Sequence, residues 1–164
     1  MVDAFTRLYE ATGQARWLDE AVEAASSLLE RFVDPEDGCL WTVGNDGEQL
    51  IVRQKEFQDG ATPSANSVAA IALLRLGAIT GESRWTEAGR RIVAALGPWL
   101  AKAPTAFTLG VCAVDLLAGG ITEVVITGDR PDLVAVAQRA FRPDRVLLWG
   151  ERTASPLWEG RAEE

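Results

Sequence analysis

Five residues of one ten-residue stretch recur at the same spacing in another: Leu8-Tyr-Glu-Ala-Thr-Gly-Gln-Ala-Arg-Trp17 and Leu76-Gly-Ala-Ile-Thr-Gly-Glu-Ser-Arg-Trp85. Leu, Thr-Gly and Arg-Trp match at one constant offset of 68 positions. Each match has a physical meaning. The glycine can take the left-handed conformation that ends a helix, a short polar turn follows, and the tryptophan starts the apolar stripe of the next helix. Trp17, Ala21, Ala24, Leu28 and Phe32 recur at helical spacing in the first copy, as do Trp85, Ala88, Ile92 and Leu96 in the second. The charges Asp19, Glu20, Glu23 and Glu30, and later Glu87, Arg90 and Arg91, fall mostly off those stripes. Such a chain has to stack helical hairpins, because one hairpin alone cannot cover its apolar face.

The segments ahead of the turns are different. Asn66 to Leu74 carries no charge and Ala106 to Leu117 carries only Asp115, so both are expected to be helices buried on all sides. Cys112, in the second of these, reads as a small core residue. Asp115 either faces a central cavity or sits solvated near a helix end. Buried helix, Thr-Gly turn, half-exposed helix and long connection is the alternation of an α/α toroid. The predicted fold is mainly α: a partial α/α toroid over residues 1–119, followed by a small βαβ unit and irregular tail over 120–164. Within the latter, Thr122–Thr127 and Arg145–Trp149 read as strands and 131–141 as the helix between them. Residues Glu151 to Glu164 are expected to be irregular and partly mobile. The first residues match the middle of an inner helix, and four toroid helices cannot close a ring. The chain is therefore expected to need the rest of a longer parent protein, or self-association.

Composition removes several classes of chemistry. The 164 residues contain no histidine, which excludes Ser-His-Asp and Cys-His catalysis and the commonest zinc ligand. Cys39 and Cys112 form no CxxC pair. A net charge of −8 argues against nucleic acid and against an anionic membrane surface. The uncharged run from Gly60 ends at Arg75, before it could span a bilayer, and residues 1–15 lack a signal-peptide core. The expectation is a cytoplasmic protein with no cofactor, no metal, no nucleic-acid partner and no membrane partner.

Polar chemistry concentrates in the connection between the two copies. Cys39–Val43 and Gln49–Val52 read as a hairpin around Gly44-Asn-Asp-Gly47. Arg53 to Asn66 then packs two cations, two carboxylates and a Gly/Pro turn ahead of an uncharged helix that starts near Pro63, with Thr62 as its N-cap. Glu56 and Asp59 are the candidate catalytic pair, since a glycosidase needs two carboxylates, one of them with a raised pKa. Arg53, Lys55, Ser64, Asn66 and Trp41 are the candidate ligand-binding residues, for a sugar or other small polar ligand. A purely structural alternative stands beside this one. Arg53 and Lys55 can pair with Glu56 or Asp59, Asp59-Gly60 can form an Asx turn, and Asn66 and Ser67 can bond the first helical turn. Trp17 and Trp85 read as core. Gly128-Asp-Arg after a strand reads as an ordinary turn rather than a phosphate loop.

At Arg53-Gln-Lys-Glu56, Asp59-Gly-Ala-Thr-Pro-Ser-Ala-Asn-Ser67, Leu73-Leu-Arg-Leu76 and Thr80-Gly81 the sequence resembles the C-terminal part of the thioredoxin-domain-containing, spermatogenesis-associated type of protein, known in bacteria as the YyaL group. Glu123-Val-Val-Ile-Thr-Gly128, Phe141-Arg-Pro143 and Pro156-Leu-Trp-Glu-Gly-Arg161 also look like that family's tail. The resemblance implies a thioredoxin-like domain, absent from this sequence, ahead of a six-hairpin glycosidase-like toroid similar to that of N-acylglucosamine 2-epimerase-like proteins. It supplies a fold more than an activity. The cysteine motif of the thioredoxin-like half is not among these residues, so no redox role is carried over.

Overall fold

The two Thr-Gly pairs end helices as expected. The computed structural model describes residues 1–47 and 52–161. In it, α1 (Val2–Thr12) stops at Gly13, whose φ is 67°, and α3 (Ala65–Thr80) stops at Gly81, whose φ is 71°. Each glycine N–H donates to the carbonyl four residues back, Tyr9 and Gly77 respectively. Thr12 and Thr80 donate their hydroxyls to the carbonyls of Leu8 and Leu76, so the two copies share side-chain as well as backbone geometry. The chain then re-enters helix as α2 (Ala15–Phe32) and α4 (Ser83–Lys102).

α3 lies between α1 and α5 (Thr108–Gly119), while α2 packs on α1, and α4 packs on α3 and α5. The contact between α3 and α4 is close because of two glycines. A Cβ on Gly77 would overlap Thr86, and one on Gly89 would lie 3.1 Å from the Ala70 carbonyl oxygen. Tyr9, Leu73, Leu76, Trp85, Ile92 and Leu96 are fully buried between these helices. α3 is buried nearly throughout, as a helix whose one charge is Arg75 should be.

α5 departs from that expectation. It is apolar all round, yet Val111 and Val114 are 42% and 38% exposed and Cys112 is exposed, not a core residue. Among the described residues, α3, α4 and the short 3₁₀ turn Pro104–Ala106 are the elements that contact it extensively, and they leave one face uncovered. Asp115 lies on that face, exposed to solvent.

β1 (Thr122–Val125) and β2 (Arg145–Leu148) pair in parallel, Thr122 opposite Arg145 and Val125 opposite Leu148, with α6 (Pro131–Arg139) between them in sequence. All three elements end sooner than the composition predicted. A two-stranded sheet is not stable by itself, and this one is embedded: Val146 and Leu148 belong to the core of the helical hairpins. Leu147 packs instead with Ile126 and Val134 beneath α6.

A buried ion pair fastens the two parts. Arg75 of α3 is 1% exposed and donates through Nη2 to both carboxylate oxygens of Glu10, at 2.9 and 2.6 Å, and through Nη1 to the Pro143 carbonyl, at 2.8 Å. The Glu10 Oε1 also accepts the backbone N–H of Leu147 in β2. Trp149 and Gln138 donate to carbonyls at the end of α1.

The tail is irregular, as expected, but residues 150–158 of it are packed, and 162–164 lie outside the described residues. Glu151 donates its N–H to the Gly13 carbonyl, and its carboxylate accepts the N–H of Ala15, in the first turn of α2. Further on, the Ser155 hydroxyl donates to the Ile79 carbonyl, Pro156 lies against Gly81, and Trp158 is buried. One strap, residues 150–158, thus crosses both Thr-Gly turns.

Candidate functional site

Residues 52–60 run extended between the two helical pairs. Burial alternates strictly along them: Arg53, Lys55, Phe57 and Asp59 are half-buried, while Gln54, Glu56, Gln58 and Gly60 are exposed. That is the period of an extended chain, whose successive side chains point to opposite sides. Glu56 and Asp59 are an odd number of residues apart, so the backbone turns them away from each other.

Each inward residue has a partner. Arg53 donates to the Val43 carbonyl at 2.7 Å. Lys55 reaches both Asp34 and Asp37, at 2.6 Å each. Both cations stand over the Trp41 ring, at 4.9 and 4.3 Å from its centroid. Burial pushes the Lys55 ammonium down, but its hydrogen bonds to Asp34 and Asp37 outweigh that and hold it above its ordinary value. The Lys55 hydrogen bond, aided by the Glu36 N–H, holds the Asp34 carboxyl below its usual range. Lys55 is therefore paired as the structural alternative expected, but with Asp34 and Asp37 instead of Glu56 or Asp59, whereas Arg53 bonds a backbone carbonyl and the Trp41 ring. The same acidic turn encloses Cys39, whose thiol is pushed up to about 11 by burial first and by Asp37 second.

Asp59 sits where two helices begin. Its Oδ1 accepts the N–H of Ser64, the residue capping α3, at 2.9 Å. Its Oδ2 accepts the N–H groups of Leu109 and Gly110 in the first turn of α5, at 2.8 and 3.2 Å. Burial raises this carboxyl, but the N–H groups of Ser64, Gly110 and Leu109 and the Ser67 hydroxyl draw it down further, so it settles below its ordinary value. Helix N-termini favour an anion, and here the protein's own carboxylate is that anion. A general acid needs the opposite shift.

The cap of α3 is Ser64 rather than Thr62: its Oγ accepts the Ser67 N–H and pairs with the Ser67 hydroxyl. Asn66 is fully buried and reads the backbone opposite it. Its Oδ1 accepts the Leu40 N–H at 2.7 Å, and its Nδ2 donates to the carbonyls of Leu40 and Glu56. The hairpin predicted over Cys39–Val52 falls partly outside the described residues. Within them, Leu40 bridges Val33 antiparallel and Thr42 bonds to Gln54. Of the seven candidate residues, Asp59, Ser64 and Asn66 converge on the start of α3. Arg53, Lys55 and Trp41 form a separate stack, and Glu56 faces solvent.

The polar residues that composition reasoning passed over are Glu10 and Arg75. One signal was present: a single arginine in an otherwise uncharged buried helix requires a partner. Two cavities lie beside this pair. One, of about 450 Å³, is an open groove between α1, α3 and α5 bordered by Phe141, Pro143 and Asp144. The other, of about 290 Å³, is walled by Arg7, Glu10, Arg75, Gln138, Arg142 and Arg145. Among the described residues, no group of three or more His, Cys, Asp or Glu side chains could hold a metal ion. No helix among them is long and apolar enough to cross a membrane.

With this geometry in hand, sequence comparison adds lineage. The human relative, spermatogenesis-associated protein 20, is 32% identical over 147 residues. The chain is homologous to that protein over most of its length. The match takes in 86% of the chain but only 19% of spermatogenesis-associated protein 20. The mouse form of spermatogenesis-associated protein 20 gives the same figures. An uncharacterized protein of Caenorhabditis elegans is 30% identical over 129 residues, 79% of the chain and 17% of the relative. The chain thus spans about a fifth of the length of the curated relatives it matches. No protein-family model matches it.

Proposed function

We propose that this chain is the helical-hairpin end of a larger α/α toroid in a thioredoxin-domain-containing protein. In this reading residues 53–66 form one wall of a pocket for a sugar or similar small polar ligand. The observation that carries it is α5, apolar but for Asp115, with Val111 and Val114 exposed beside an apolar groove. Such a face needs further protein against it, and the relatives are about five times longer than the matched part. The Asp59 carboxylate, bonded to three backbone N–H groups, acts as a support for the pocket wall. Sedimentation over a range of concentrations tests the docking: self-association that Val111→Lys and Val114→Lys abolish supports it, and a monomer with no response to either variant refutes it. Calorimetry with monosaccharides tests the ligand.

The enzymatic alternative, a glycosidase- or epimerase-like reaction using Glu56 and Asp59, keeps one favourable observation. Glu56 is a carboxylate turned to solvent, free to meet a ligand. Loss of sugar turnover in Glu56→Gln at unchanged stability supports that reading, and turnover unaffected by the change ends it.

A further inference from the structure

The 290 Å³ cavity beside the Glu10–Arg75 pair has an unusual wall for a chain with a net charge of −8. Four of its lining residues are arginines, Arg7, Arg75, Arg142 and Arg145, and its one carboxylate is Glu10. Both oxygens of Glu10 are engaged, by Arg75 and by the Leu147 N–H. The other acids nearby are Asp3, 3.4 Å from Arg7, and Asp144, which holds Nε and Nη2 of Arg142. Both of these acids line the neighbouring apolar groove instead. Arg145 has no side-chain hydrogen bond or ion pair among the described residues, and Arg75 keeps a buried Nε without a partner there.

The fold positions these groups. Arg7, Glu10 and Ala11 share one face of α1 at helical spacing, and Arg145 and Leu147 share one face of β2 at strand spacing. Arg75 is anchored at the base, and its bond to the Pro143 carbonyl holds the loop that carries Arg142 and Arg145. A guanidinium offers five donors in a planar fork suited to oxyanions. Arg142 spends two groups on Asp144, Arg7 faces Asp3 only through Nε, and Arg145 spends none. The cavity is several times the size of a phosphate group, and among the described residues Arg145 feels the nearby Asp144 charge but hydrogen-bonds no acceptor through its side chain.

We propose that this cavity binds a small doubly charged oxyanion, a phosphate group as the free ion or as a phosphomonoester. It is separate from residues 53–66, so the sugar-pocket reading neither needs it nor falls with it. Inorganic phosphate titrated into the full 164-residue chain at low ionic strength, followed by calorimetry and amide NMR shifts, is the test. The expected result is saturable binding that perturbs Arg145, Gln138 and the end of α1. Binding weakens about tenfold or more in Arg145→Ala, as loss of a charge-assisted bidentate contact implies. It weakens also in Arg7→Gln, a change on an exposed helix surface that leaves the fold intact. Glycerol phosphate competing at similar concentrations assigns the site to phosphomonoesters, and failure to compete assigns it to the free ion. Shifts that sodium chloride of equal ionic strength reproduces, or binding that survives both variants, overturn the proposal.

Discussion

Replacing Glu10 by leucine should cost more than any surface change in this chain. The substitution removes two charge-assisted hydrogen bonds to Arg75 and the acceptor of the Leu147 N–H. What remains is a guanidinium 1% exposed, with the Pro143 carbonyl as its bonded acceptor. Breaking a buried pair from one side costs about 3–5 kcal/mol, because the surviving charge is left uncompensated. With a total stability of about 5–15 kcal/mol and a urea slope of about 2 kcal/mol per molar, the unfolding midpoint should fall by about 2 M. Arg75→Met should be milder, since the stranded Glu10 is nearer the surface, at 12% side-chain exposure, and can be hydrated. The double variant Glu10→Leu with Arg75→Met removes both charges and should recover much of the Glu10→Leu loss. Urea unfolding followed by circular dichroism, run as a double-mutant cycle, reads all three. A Glu10→Leu cost below about 1 kcal/mol, or two single costs that simply add, would refute the view that the pair is desolvated and coupled.

Three further outcomes are expected. Gly150→Ala should destabilise by more than about 1 kcal/mol, because φ is 74° there and the new Cβ would lie 2.6 Å from the Gly13 carbonyl oxygen; thermal unfolding measures it. Asp59→Asn should lose about 1–3 kcal/mol at neutral pH, the worth of a charged acceptor serving several buried N–H groups. Because the folded pKa of Asp59 lies below its ordinary 3.8, its stabilisation is full above that value and is lost as pH falls through the folded pKa. Stability-against-pH curves of the parent and Asn variant should therefore converge below about pH 4. Thiol titration at pH 8 should find Cys112 reacting promptly, while Cys39, buried and pushed up to about 11, reacts only on unfolding.

How much of this was legible depended on the distance over which each residue acts. The Thr12-Gly13 and Thr80-Gly81 turns were legible because a C-cap is decided within one helical turn. The buried Trp85 and the burial of the uncharged Asn66–Leu74 stretch of α3 followed from spacing alone. Asp59 was not legible in its actual role, since the N–H groups of Leu109 and Gly110 lie 50 and 51 residues away and meet it only once α5 has docked. Spacing alone did not show that Glu56 is exposed while Asp59 is half-buried, because the burial alternates along residues 53–60. Cys112 and the exposure of α5 went the other way: the apolar pattern was read correctly, but the surface that would cover it is not among the packed elements. Arg75 was taken only as the end of an apolar run, although its partner Glu10 stands 65 residues earlier.

The strap over the two turns has a consequence for how the molecule is made. Gly13 and Glu151 are joined by a hydrogen bond, yet almost the whole chain lies between them in sequence. A ribosome delivers the N-terminal hairpins long before residue 151, and domains begin to fold as they emerge. Until residue 151 is made, the N–H of Ala15 and the carbonyl of Gly13 lack the partner they have in the folded chain. Cutting the chain before residue 150 removes the contacts to both turns at once, so the two hairpins share one fastening although each turn is set by its own glycine.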